Sequence, residues 1–153
     1  MLTDKAIILR LLLSMVLSGV IGVEREIHRR NAGMRTHILV AVGSTLIMLT
    51  SLYVFDIYKD KAALDPARIA AGVITGIGFL GAGAIIRYGE AVRGLTTAAS
   101  LWVVAALGLA VGCGFYLAAV VTAAITFFIL FAARYFEGWL LDRQGPSDNK
   151  GGD

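Results

Sequence analysis

The stretch Gly72–Ser100 reads GVITGIGFLGAGAIIRYGEAVRGLTTAAS. It joins a glycine-dense apolar run, a short basic link and a hydroxyl-rich start to another apolar run. It contains a literal G-x-G-x-x-G at Gly76, Gly78 and Gly81. As a dinucleotide fingerprint, that pattern needs a strand before it, a helix opening at the glycines and an acid about 20 residues on. Here no charge occurs from Ile69 to Ile86, and no acid lies around Ala98–Leu101. The glycines therefore read as a packing device inside a membrane helix.

Working outward, the whole chain supports that environment. Of its 153 residues, 58% are hydrophobic and 16% charged, against about 25% charged in a typical soluble domain. The mean hydropathy is +0.77. Lipid accepts only helices or closed barrels, and the apolar runs are continuous rather than alternating. The expected fold is an all-α polytopic bundle of about five transmembrane helices, with the glycine-rich third helix at its centre. Spans are expected near 6–23, 38–54, 66–86, 97–111 and 115–133, within a membrane domain covering 1–136. Residues 137–153 read as a polar, disordered cytoplasmic tail.

The first run, Ala6–Val23, is interrupted only by Arg10. It is long for a signal peptide and no A-x-A site ends it. Ser14, Ser18 and Gly22 recur every four residues and share a helix face that lets a neighbour approach closely. In the third run, Gly72, Gly76 and Gly83 share one sector, and Gly78 and Gly81 another, so neighbours are expected on two sides. Asp65-Pro66 reads as an N-cap followed by a first-turn proline. Gly112-Cys113-Gly114 marks a break between runs four and five.

Nine Lys and Arg lie on the side holding the Glu24–Arg35 loop, the Arg87–Arg93 link and the tail, against five on the other. The positive-inside rule then puts the N-terminus outside and the C-terminus in the cytoplasm. The net charge of +3 belongs to these loops and gives no sign of nucleic-acid binding. A single cysteine excludes an internal disulfide or a cysteine metal cluster, and His28 and His37 are too isolated for a metal site. No cofactor is expected.

Several motifs occur in an order that resembles the MgtC/SapB family of bacterial inner-membrane proteins. They are Gly19-Val20-Ile21-Gly22-Val23-Glu24-Arg25-Glu26, Ala32-Gly33-Met34-Arg35-Thr36-His37 with Gly43-Ser44, and Asp65-Pro66-Ala67-Arg68-Ile69-Ala70. Gly76-Ile77-Gly78-Phe79-Leu80-Gly81-Ala82-Gly83 and Gly94-Leu95-Thr96-Thr97-Ala98-Ala99-Ser100-Leu101-Trp102 complete the match. It covers roughly residues 10–133. The resemblance implies a five-span inner-membrane protein linked to growth at low magnesium and, in pathogens, to virulence. It implies regulation of other integral membrane proteins, such as the ATP synthase or a cation transporter. Virulence-type members carry a soluble C-terminal domain after the fifth span, so this chain resembles a short form without it.

Ionisable groups at membrane depth are the candidates for function. On the outer side these are Arg10, Asp65 and Arg68. Arg10 either pairs with Asp65 or snorkels to headgroups while Asp65 caps its helix. On the inner side, Glu24, Arg25, Glu26, Arg35, Thr96, Thr97 and Ser100 flank three helix ends. Glu24 is expected to accept from Arg35 and from Thr96 or Thr97. No catalytic residue is expected: Ser44, Ser51 and Ser100 show no histidine or acid on their own helix face, and His37 reads as an interface residue. Trp102, Tyr135 and Trp139 read as packing or interface-belt aromatics. The favoured function is regulation through protein contacts in the bilayer, with a homodimer as a further use of the small-residue faces. The rival is a transporter or channel for magnesium or another small cation. Against it, no acid lies within a span, and magnesium gives up its water reluctantly.

Overall fold

The computed structural model describes residues 2–61 and 63–143. The elements are α1 (Asp4–Ile27), α2 (Met34–Tyr58), α3 (Ala67–Ala84), β1 (Ile86–Tyr88), β2 (Ala91–Arg93), α4 (Leu95–Cys113) and α5 (Tyr116–Arg143). All five helices contain windows long and apolar enough to cross a membrane, so the fold is all-α and polytopic. Their outward apolar residues, such as Leu39, Phe79, Leu117 and Phe128, are exposed, as suits a surface that meets lipid.

Local chemistry sets the helix ends. The Thr3 hydroxyl accepts from the Ala6 amide, with Asp4 in the first turn of α1, where an acid suits the helix dipole. Asp65 Oδ1 accepts from the Ala67 amide at 2.8 Å and starts α3. Gly114 ends α4 with φ of 92°, while the Gly114 and Phe115 amides donate back to Val111 and Ala110. That left-handed stop suits glycine and makes α4 and α5 separate helices.

The middle of the bundle belongs to α4, which corrects the expectation for the third helix. Half of the α4 span is buried, against 11% of the α3 span. Val104, Leu107 and Val111 of α4 pack with Ile21 of α1, Ala41 of α2 and Ala119 of α5. Ile77 of α3 meets Leu101 and Ala105 of α4 in a smaller cluster. A Cβ at Gly72, Gly76, Gly78 or Gly83 would meet nothing within 4 Å, and one at Gly81 would meet only the Ala98 methyl at 3.7 Å. The glycines of α3 therefore do not seat neighbouring helices of this chain. The close approaches occur at Gly108 and Gly112 of α4, where a Cβ would come within 2.3 Å of the Ala41 carbonyl and 2.6 Å of the Met48 side chain.

The Arg87–Leu95 link is more than a loop. Strands β1 and β2 pair antiparallel, Ile86 opposite Arg93 and Tyr88 opposite Ala91, around a two-residue turn at Gly89 and Glu90. Gly89 opens it with φ of 58°, the usual glycine position of a tight hairpin. Gly94, at φ of 92°, closes it so near to α3 that a Cβ would stand 1.9 Å from the Ala84 carbonyl. The third helix stops at Ala84 because the chain must turn here. Helix α5 continues to Arg143, past the Tyr116–Ala133 stretch apolar enough to cross a membrane, so residues 137–143, expected to be disordered, are helical. Residues 144–153 and the Trp139 side chain lie outside what is described.

Candidate functional site

The ends of α1, α2 and α4 that carry the arginine-rich loop enclose a buried polar cluster. Gly22 starts it by bringing α1 against α2: a Cβ there would come within 2.6 Å of the Met34 Cα. One turn on, Glu24 and Arg25 are both buried. Arg25 Nη1 donates to Glu24 Oε2 at 3.3 Å, and His28 Nδ1 stands 3.1 Å from Glu24 Oε1. Arg25 Nε, fully shielded from solvent, has no acceptor among the described residues. Buried groups left in that state are uncommon and costly.

Glu26 reaches across the loop instead. Its Oε2 accepts from the Met34 amide at 3.0 Å, supplying the side-chain cap that Gly33, at the N-cap position of α2, cannot provide. A Cβ on Gly33 would lie 1.7 Å from that oxygen. The carboxylate thus occupies the space a side chain at 33 would need. Gly33→Ala and Glu26→Ala should each cost about 1 kcal/mol. The double variant should lose no more than either single one in chemical unfolding, because both remove the same cap.

His37 lies at the bottom of the cluster with no exposure. Its Nδ1 is 2.8 Å from the Gly33 carbonyl and its Nε2 is 3.0 Å from Ser100 Oγ. A carbonyl only accepts, so Nδ1 carries the proton and a neutral ring accepts from Ser100 at Nε2. The Ser100 hydroxyl also lies 2.8 Å from the Thr97 carbonyl. Its single proton can go to either acceptor, Nε2 or that carbonyl. The pairing of serine with histidine corrects the expectation that Ser100 has no histidine near it. That expectation considered single helix faces, whereas these residues meet across two helices. Both are buried, and the partner of Nδ1 is a backbone carbonyl rather than an acid, so the pair ties α2 to α4.

Other expected members of the cluster fall outside it. Arg35 and Thr96 are exposed, so Glu24 takes its contacts from Arg25 and His28 rather than from Arg35 or a threonine hydroxyl. Thr97 is buried and contributes its carbonyl to the Ser100 bond.

At the opposite end, Arg10 and Asp65 do not pair. Arg10 Nη1 donates to the Gly112 carbonyl at 2.7 Å, and its Nε donates to the Tyr116 hydroxyl at 2.9 Å. Its guanidinium carbon stands 5.8 Å from the centre of the Tyr116 ring. The cation thus closes the C-terminal end of α4, where the helix dipole favours positive charge, while Asp65 caps its own helix. Arg68 is exposed. Arg10→Met should therefore lower stability by about 2 kcal/mol. Exchanging the charges, Arg10→Asp with Asp65→Arg, should restore none of the loss in a thermal unfolding assay.

Between the two ends, hydroxyls satisfy helix carbonyls. Ser14 donates to Leu11 and Ser18 to Ser14, both in the buried face of α1. Thr45 lies 2.9 Å from both the Ala41 and Gly108 carbonyls, and Ser51 donates to the Pro66 carbonyl. Thr45, Gly108 and Tyr116 carry much of the bundle geometry without having stood out in the sequence, and Gly112 was read only as part of a break. The available signal was Gly108-x-x-x-Gly112, a small-residue spacing. Trp102 and Tyr135 point outward. Beside Arg10, an open cleft of about 660 Å³ is lined by Asp4, Thr50, Tyr53, Asp56 and Cys113 together with apolar residues. Among the described residues, no group of three His, Cys, Asp or Glu could hold a metal ion.

The contacts around Gly22, Glu24–Glu26, Gly33, His37 and Ser100 account physically for the motifs quoted above. Known proteins resemble the chain over this region. The family model described as the MgtC family matches residues 11–139. YhiD of Escherichia coli (strain K12), provisionally named a magnesium transporter, is 45% identical over 125 residues, 80% of this chain and 58% of that protein. SapB of Bacillus subtilis (strain 168) is 38% identical over 147 residues, 94% of this chain and 61% of that protein. MgtC of Salmonella typhimurium (strain LT2) is 47% identical over 107 residues, 70% of this chain and 43% of that protein. None of these names denotes an enzyme, and the chain spans about half the length of the relatives it matches. No solved structure matches. The family match covers α1 from Leu11 through most of α5, and on that basis the chain belongs to the MgtC family.

Proposed function

We propose that this chain is a multipass inner-membrane protein that acts by contact with other integral membrane proteins in the response to low magnesium or stress. The observation that carries this reading is how its interior polar groups are used. Arg10, His37 and Thr45 bind α4, Glu26 binds the start of α2, and Ser51 binds the turn before α3. Polarity fastens helix to helix instead of lining a path. On α3, by contrast, Gly72, Gly76 and Gly78 stand open beside the exposed Phe79 and Leu80. Such a surface admits another helix closely, from a second copy or a different protein. The link to magnesium comes from the relatives' names. The positive-inside rule puts the arginine-rich loop in the cytoplasm and the N-terminus outside.

Cation transport is the second reading, favoured by the name of YhiD and by the charged cleft beside Arg10. Reconstitution of the pure protein into liposomes separates the two. Saturable magnesium or proton flux would overturn the contact reading. Site-specific crosslinking through α3 in native membranes should instead capture a defined membrane protein.

A further inference from the structure

A second cleft, of about 400 Å³, opens at the other end of the bundle, between the C-terminal half of α3 and the α1–α2 loop. We propose that it binds an anionic phospholipid from the leaflet that faces the arginine-rich loop, one acyl chain lying along α3 and the phosphate at the loop. Three observations converge on this occupant.

The first is the shape and polarity of the lining. Phe79, Leu80, Gly83 and Leu101 give an apolar lining, while the polar side chains, Asn31 and Thr36, come from the α1–α2 loop and the first turn of α2. A Cβ on Gly83 would meet nothing within 4 Å, so the cleft reaches down to the α3 backbone. Phe79 forms a projecting wall, 82% exposed.

The second is depth. The 18 residues of α3 span about 27 Å, close to the hydrocarbon thickness of a bilayer. Its Ala84 end therefore lies at headgroup level, and Phe79 lies about 7 Å further in. The cleft runs across that boundary, as an acyl chain joined to a headgroup does. A soluble anion would have no use for the apolar half.

The third is charge. Arg29, Arg30 and Arg35 flank Asn31 and Thr36 in sequence, are exposed and form no ion pair among the described residues. Arg93 is directly opposite Ile86 in the hairpin, so the two share a face, and Ile86 lines the cleft. Basic pockets between helices at the cytoplasmic side suit anionic headgroups.

The test is native mass spectrometry of the full chain after stepwise delipidation, beginning in mixed phosphatidylglycerol and phosphatidylcholine nanodiscs. Phosphatidylglycerol should be retained about tenfold over phosphatidylcholine. Gly83→Leu fills the cleft and should abolish that preference, whereas Gly72→Leu, at the far end of α3, should leave it intact. Arg93→Gln with Arg35→Gln alters only exposed side chains and should cut the preference several-fold without touching the cleft walls. Equal retention of the two lipids would overturn the proposal, as would an unchanged preference in Gly83→Leu or in the double arginine variant. Full displacement by inorganic phosphate would reduce the site to a bare anion contact. A dimer that buries Gly83 and holds no lipid would assign the cleft to a second copy.

Discussion

Gly108→Ala should unfold or grossly loosen the bundle, although it adds a single methyl group. The new carbon would stand 2.3 Å from the Ala41 carbonyl oxygen and 2.8 Å from the Ser44 Cβ. Overpacking a core usually costs roughly 1–3 kcal/mol because side chains give way. Here the obstacle is the main chain of α2, so the helices themselves must separate, and the bond from Thr45 to the Gly108 carbonyl is lost with them. Gly72→Ala is the matched control. It lies in open space on α3 and should change stability by no more than about 0.5 kcal/mol. Unfolding in detergent, by heat or denaturant, reads both. Equal stability of the two variants would mean that α2 and α4 do not meet through glycine.

Arg25→Met should be the most damaging single change at the arginine-rich end, costing about 3–5 kcal/mol. It leaves the buried Glu24 carboxylate with only His28 beside it. Removing both charges, as Arg25→Met with Glu24→Gln, should recover a large part of that loss, since the penalty lies in the stranded charge. The double-mutant cycle should give a coupling of about 1–3 kcal/mol. Additive losses would show that Glu24 and Arg25 act independently. The hydrogen bond between them is long, at 3.3 Å, and Arg25 Nε has no partner among the described residues. The pair is therefore held by enclosure more than by good geometry, which is why breaking it matters more than its own strength suggests.

Hydropathy was enough to read five membrane helices, because lipid leaves few alternatives, and the Asp65-Pro66 cap and the Gly112-Cys113-Gly114 break marked two of their boundaries. The central helix was harder. Glycine density on α3 suggested crowding, but density says only that close approach is permitted. Crowding occurs at Gly108 and Gly112, two glycines in a less conspicuous run, because their faces meet the α2 backbone. Helix-face arithmetic could not pair His37 with Ser100, 63 residues apart, nor Arg10 with Gly112. Such pairings depend on which helices are neighbours, and that is settled by packing. Glu26 as a cap for α2 follows the same rule: the acid was visible in the sequence, but its recipient amide was not. The hairpin at Ile86–Arg93 was concealed by its brevity, since three-residue strands carry almost no alternating pattern.

The anchor of Arg10 has a consequence for how the protein is made. Its carbonyl partner, Gly112, lies 102 residues later in the chain. At roughly 5–20 residues per second, a ribosome needs about 5–20 s to supply it. Throughout that interval the first helix holds an uncompensated guanidinium at membrane depth, so it must wait at the headgroups or inside the insertion machinery until the α4–α5 turn emerges. Helix α1, made well before its partner, is thus among the last elements of the bundle to settle. Any agent that slows translation between the third and fifth helices lengthens the wait.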